Sequence, residues 1–231
     1  MIFCVGDSHA CIFGGGIPGH PKSFSDYLAR ESVHPKIPGF KSFRLMREIP
    51  STKRNWDVYG MLSYNVLNKI DMIDNVLKIG KFDKDKDKLL FCFGEVDCRA
   101  HIKKQADMQN KDARIIIQEC VERYFASILY YKVNRKIDVM VWGPHAPWSE
   151  NQPYDGPTFG TEAERIEINR IFNEILEDRC ALHKIPFVSV FSETLIDETH
   201  SNDYYLDDAG IHLNERAIPL ILDKFKNKNL I

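Results

Sequence analysis

Ile2-Phe3-Cys4-Val5-Gly6-Asp7-Ser8-His9 sets four apolar, β-favouring residues directly before a glycine and three polar side chains. Four such residues without helical period read as a strand buried on both faces, as in a parallel sheet. The pattern returns along the chain. Leu89 to Phe93 runs into Gly94-Glu95-Val96-Asp97-Cys98-Arg99-Ala100-His101, Val139 to Trp142 into Gly143-Pro144-His145, and Phe187 to Phe191 into a polar stretch. Between these runs lie apolar stripes at helical spacing: Val66, Ile70, Ile73, Leu77; Ile117, Val121, Phe125, Ile128; Ile168, Ile171, Phe172, Ile175; and Ile218, Ile221, Leu222, Phe225. Such stripes are core faces of helices. Strands alternating with helices predict an α/β sandwich with right-handed crossovers.

The chain has 231 residues, and its 31 basic and 33 acidic side chains leave a formal charge of −2. That length suits one domain, here residues 1–231, in which folding needs neither a disulfide nor a metal. A composition of 44 % hydrophobic and 28 % charged residues is that of a globular chain. The lack of a basic excess argues against nucleic acid as a partner, and no apolar run approaches the ~18 residues that span a bilayer. Cys4, Cys11, Cys92, Cys98, Cys120 and Cys180 include no C-x-x-C pair, so reduced thiols are expected. Met1 to Val5 carries no basic stretch or cleavage site, which leads to the expectation of a cytoplasmic protein. Besides Lys81 to Lys88, whose alternating Lys and Asp read as a solvated turn before a strand, two segments read as irregular. Cys11 to Ser23 holds Gly14-Gly15-Gly16, with no Gly-Lys-Ser/Thr after it; Gly143 to Gly160 holds four prolines together with Trp148, Tyr154 and Phe159. Loops as long as the second often line binding sites.

Open parallel sheets bind ligands outside the carboxyl ends of their strands. The polar residues found there are Asp7, Ser8, His9, Glu95, Asp97, Arg99, His101 and His145, and before the last helix comes Asp207-Asp208-Ala209-Gly210-Ile211-His212. A serine hydroxyl becomes nucleophilic when a base takes its proton, and a carboxylate orients that base. Ser8, His212 and either Asp208 or Asp207 supply these parts if the C-terminal loop folds back beside the first strand. The backbone N–H groups of Ser8 and Gly60 are candidate oxyanion donors. Asp7, His9, Glu95, Asp97, Arg99, His101 and His145 are candidates for substrate binding. The plainer alternatives are that Asp7 caps a helix and that Glu95, Asp97 and Arg99 form a structural ion-pair network.

Gly6-Asp7-Ser8, the glycine at 60, Gly94-Glu95-Val96-Asp97 and the Asp/His segment ending at His212 occur in the order found in the SGNH/GDSL hydrolase superfamily, which the chain resembles over almost its whole length. The resemblance implies a three-layer α/β/α domain with a flavodoxin-like, mostly parallel sheet of about five strands. It further implies Ser8 as nucleophile, His212 as base and no metal or organic cofactor. Two positions depart from the family pattern. Val96 stands where the third block has an oxyanion-binding Asn, leaving Arg99 or His101 to substitute, or a hole of two donors. Ala209 stands three residues before the histidine, where the family has Asp; Asp208, four before, is placed narrowly ahead of Asp207, five before.

The expected function is hydrolysis of a small, acetyl-type ester, with an O-acetylated glycan as the preferred substrate. Two alternatives stand beside it. Asp7, His9, Glu95, Asp97, His101, His145 and His212 hold enough N and O donors for a metal-dependent phosphoesterase. Val96 instead favours a non-catalytic protein on the same fold, and acyl transfer would use the same serine.

Overall fold

The computed structural model describes residues 1–14, 37–48, 58–152, 156–208 and 210–231. Five parallel strands form its sheet: β1 (Ile2–Gly6), β2 (Phe40–Arg44), β5 (Lys88–Cys92), β6 (Val139–Trp142) and β7 (Phe187–Val188). β3 (Met46–Glu48) and β4 (Val58–Gly60) make a separate antiparallel pair. The sheet order is β2-β1-β5-β6-β7, the flavodoxin-like order whose direction reverses beside β1. That reversal falls between β1 and β5, whose carboxyl ends lead into Gly6-Asp7-Ser8 and Gly94-Glu95.

Alternation along the strands divides the core in two. Phe3, Val5, Leu89, Phe91, Val139 and Val141 face one side. There they meet α2 (Ile70–Ile79), α3 (Ile102–Gln109), α4 (Ala113–Leu129) and α5 (Glu162–Leu182) through Ile73, Ile102, Ile117 and Phe172. Ile2, Cys4, Leu90, Cys92, Met140 and Trp142 face the other side, against α1 (Cys11–Gly14) and α6 (Ile218–Asn227). Phe13 meets Trp142 edge-on at 5.1 Å and Phe40 meets Phe225 edge-on at 5.2 Å, an arrangement favoured by the ring quadrupole. Burial on both faces explains why these strands lack polar alternation.

Several expectations are refined. The stripe from Val66 to Leu77 begins in a 3-10 segment, Ser63–Lys69, before continuing as α2. The strand expected over Phe187 to Phe191 ends at Val188. β2 is an edge strand in which partly exposed Lys41 and Arg44 interrupt the apolar signal, as edge strands commonly do. α3 buries only Ile102 and Ala106 and is entered through a π turn, Asp97–His101, so its stripe is too thin to stand out. Local chemistry marks the long helices more clearly. Asp112 caps α4 by accepting Arg114 N at 2.7 Å, and Thr161 and Glu164 close a capping box on α5.

The end of β1 is tightly constrained. A Cβ placed on Gly6 would lie 2.1 Å from the Cys92 carbonyl oxygen and 2.8 Å from Ala10 Cβ, and neither neighbour is a flexible side-chain tip. Overpacking of this kind costs about 1–3 kcal/mol or more. Gly6→Ala is therefore expected to lower the urea midpoint by at least that equivalent. An unchanged midpoint would show that β1 and β5 can separate at this end.

Candidate active site

Strand β1 delivers Asp7 and Ser8 to the carboxyl edge of the sheet. Asp7 caps the short 3-10 turn Ser8–Ala10 by accepting His9 N at 2.9 Å, which leaves Ser8 at the head of the turn and partly exposed. The candidate base, His212, arrives from the segment before the last helix. A bridge between Leu206 and Leu213 and a 2.7 Å bond from Asp207 N to His212 O close the loop between them. The Asp207 carboxylate faces into that loop, where Oδ1 accepts Ile211 N at 3.1 Å and His212 N at 3.2 Å.

This loop decides which aspartate meets the histidine. His212 Nδ1–H donates to Asp207 Oδ2 at 2.9 Å, which leaves Nε2 bare to accept the Ser8 hydroxyl at 3.0 Å. Asp208 lies on the turn and is exposed, so the choice of Asp208 over Asp207 is corrected. Because the loop closes through Asp207, the five-residue separation is the one that brings a carboxylate back to the ring. Burial alone would raise the Asp207 carboxyl, but the hydrogen bonds and charge of His212 outweigh it and bring the carboxyl down to about 2. Burial lowers the proton affinity of His212, Asp207 opposes this only in part, and the nearby charge of His9 lowers it further.

Beneath the Ser8–His212 pair lies a buried polar cluster. His9 Nδ1 is 2.8 Å from Asp7 Oδ1, and its Nε2 is 3.1 Å from both the Ile211 carbonyl and Glu95 Oε2. Glu95 Oε1 accepts from Arg99 Nε at 2.7 Å, and Arg99 Nη1 donates to Pro157 O at 2.8 Å. His145 Nε2–H also donates to the Ile211 carbonyl, at 3.1 Å. Burial opposes ionisation of Glu95, yet Arg99 and His9 together bring it down to about 2. Burial and the charge of His9 push His145 down to about 3, so it is neutral.

The substrate-contact role expected of Asp7, His9, Glu95, Arg99 and His145 is therefore corrected. These side chains are at most 5 % exposed, and most of their polar atoms engage one another or the backbone, while Asp7 Oδ2 accepts no hydrogen bond among the described residues. The network expected only of Glu95, Asp97 and Arg99 is real but differently composed. Asp97 is fully buried and turned away, accepting Ser63 N at 2.6 Å, Tyr64 N at 3.4 Å and the Cys120 thiol at 3.3 Å. Burial pushes its carboxyl up to about 6 despite these bonds. His101 stays partly exposed beside the Tyr64 ring, 6.2 Å between centroids.

Main-chain bonds bring the segment carrying Gly60 toward the end of β1. Leu45 N donates to Gly6 O at 2.6 Å and Met61 N to Leu45 O at 3.3 Å, which sets Gly60 one segment away from the end of β1. Val96 contributes only a buried isopropyl group, and the Arg99 guanidinium is committed to Glu95 and Pro157, so it does not replace the absent Asn.

Sequence reading overlooked the clasp that holds the 143–160 loop. The buried Arg165 guanidinium donates to Gly160 O, Trp148 O and Glu150 Oε1 and lies 4.8 Å from the Trp148 ring centroid. Glu162 accepts Glu150 N at 3.1 Å and Ser201 N at 2.7 Å, joining this loop to the C-terminal segment. Their i, i+3 position in the first turn of α5 was the available signal. One face of Trp148 is thus taken by Arg165; Tyr154 and most of Cys11 to Ser23 fall outside the described residues. Among the described residues, no group of three or more His, Cys, Asp or Glu side chains is arranged to hold a metal ion, and no helix is long and apolar enough to cross a membrane.

No family model matches the chain, and no curated protein matches it at a significant level. Solved structures do match. A Bacteroides fragilis protein described as a candidate acylhydrolase superposes with a TM-score of 0.55 at 16 % identity, over 100 % of this chain and 88 % of that one. A GDSL-like lipase from Bacteroides thetaiotaomicron gives 0.55 at 16 % identity, over 98 % and 85 %. The fold of the chain is the one that these two structures share.

Two measurements follow from the geometry. Asp207→Asn is expected to slow reaction of Ser8 by about 10³–10⁴-fold, as loss of an orienting carboxylate does elsewhere, whereas Asp208→Asn stays within about twofold; equal effects would refute the assignment of Asp207. A base with lowered proton affinity remains neutral below the ordinary histidine value. The rate of Ser8 modification is accordingly expected to persist as pH falls past 6.5 and to be lost only when His212 takes up a proton at lower pH; a midpoint above 6.5 would contradict this.

Proposed function

We propose that the protein is a serine-dependent carboxylic ester hydrolase acting on a small, acetyl-type ester, with an O-acetylated glycan as the favoured substrate. The hydrogen-bonded chain from Ser8 through His212 to Asp207 is the observation that carries this reading. Ser8 Oγ bonds to the acyl carbon as its proton passes to His212 Nε2, and Asp207 stabilises the imidazolium that forms. Backbone N–H groups of Ser8 and Gly60 receive the developing oxyanion. Collapse breaks the acyl–oxygen bond, and the departing alkoxide takes the proton from His212. Water then repeats the sequence, releasing the acid and restoring Ser8. Val96 leaves the oxyanion site one side-chain donor short of the family pattern, a difference worth about 2.7–4 kcal/mol of transition-state stabilisation where such a donor is removed.

The substrate preference is supported by the aromatic and polar 143–160 loop. Gly210, two residues before His212, has φ +70°, and a Cβ placed on it would lie 2.5 Å from Gln152 Cβ and 3.1 Å from Trp148 Cδ1. The loop thus borders the catalytic histidine segment. Treatment with a small fluorophosphonate, read by intact mass and peptide mapping, is expected to add one adduct on Ser8. That adduct is absent in Ser8→Ala and indifferent to EDTA. Folded wild-type protein that stays unlabelled would overturn the serine mechanism. If the label forms, release of acetate from acetylated sugars should outpace cleavage of long-chain esters.

A further inference from the structure

The cluster under Ser8 contains two buried carboxylates, Asp7 and Glu95, and one permanent cation, Arg99. Buried charges are costly unless paired, and a second cation would balance the cluster. Apart from the Ser8 hydroxyl, 3.5 Å from Nδ1 and already bonded to His212, the ring nitrogens of His9 meet acceptors: Asp7 Oδ1 at Nδ1, and the Ile211 carbonyl with Glu95 Oε2 alongside at Nε2. A neutral imidazole carries a single N–H and would set a lone pair against one of these oxygens. The imidazolium satisfies both ends and balances the charge.

Its position ties this cation to the proposed base. The Ile211 carbonyl belongs to the peptide that leads into His212, and it accepts from both His9 and His145. The His9 and His212 rings lie 4.7 Å apart between centroids, and His9 Nδ1 is 3.5 Å from Ser8 Oγ. The charged and titratable groups facing His9 are Asp7 from the same turn, Glu95 with Arg99 behind it, His145, and His212 from the C-terminal loop.

We propose that His9 is a standing imidazolium and a positioning residue for His212: it anchors the Ile211–His212 peptide, and its charge keeps His212 in the neutral, proton-accepting form. This rests on the reading of Ser8 and His212 as nucleophile and base. Burial opposes the charge on His9, but Glu95 and Asp7 outweigh it and raise its proton affinity above the ordinary histidine value. When His212 takes the Ser8 proton, two cations stand side by side, and their repulsion favours passing that proton on to the leaving alkoxide.

The test uses the full chain labelled with ¹⁵N-histidine. Ring-nitrogen signals are expected to show His9 doubly protonated above pH 6.5 while His212 and His145 are neutral. In parallel, the pH dependence of fluorophosphonate labelling at Ser8 is compared with that of His9→Gln and of the charge-balanced pair His9→Gln/Glu95→Gln, which spares the fold an unmatched carboxylate. The acid midpoint is expected to rise by about one unit in folded His9→Gln, equivalent to a tenfold weaker hold on the neutral base, and by a smaller but measurable amount in the pair, because loss of Glu95 withdraws a weaker charge that favours protonation of His212. A His9 signal that loses its second proton below pH 6.5, or an unmoved midpoint in the folded pair, overturns the proposal. Unlabelled wild-type Ser8 beside a doubly protonated His9 defeats the hydrolase reading and the positioning role with it, while the charge assignment of His9 remains readable in the same spectra.

Discussion

The space a side chain on Gly6 would need is already filled by the carbonyl of Cys92. This close approach draws the carboxyl ends of β1 and β5 together, and the cluster beneath the site depends on it. With a wider gap, Asp7 from one strand and Glu95 from the other would not reach the two sides of the same imidazole. Parallel pairing places both strand ends at one edge, and the reversal of strand order leaves that edge open to a ligand.

Charge balance is the second organising constraint. Asp7, His9, Glu95 and Arg99 form an approximately neutral group in a region from which water is largely excluded. Asp97 solves a different problem nearby, satisfying the first N–H groups of the 63–69 segment. Two carboxylates two positions apart in one motif thus do separate work, because residues two apart on a helical turn point in different directions.

Most of the fold was legible because it rests on short-range signals: apolar runs for doubly buried strands and helical stripes for single-faced helices. β2 and α3 escaped because one is a partly charged edge and the other buries only two residues along its length. At the site, Ser8, His212 and the pair of candidate aspartates could be located from motif order. The choice between Asp207 and Asp208 could not, since it turns on backbone bonds that close the loop. The role of His9 was hidden for a related reason. One of its partners is a backbone carbonyl, which leaves no mark in the sequence, and burial turned an expected contact surface into an internal network.

The Ser8–His212 bond joins residues 204 positions apart. Contacts so distant in sequence form late, after the intervening loops have closed. As the chain leaves the ribosome, Ser8 emerges 204 residues ahead of His212, and on the proposed reading it remains an ordinary alcohol until the loop carrying His212 docks. Under the proposed mechanism, chemical competence therefore reports docking of this loop: a misfolded molecule that leaves it undocked keeps its serine but has no base to awaken it.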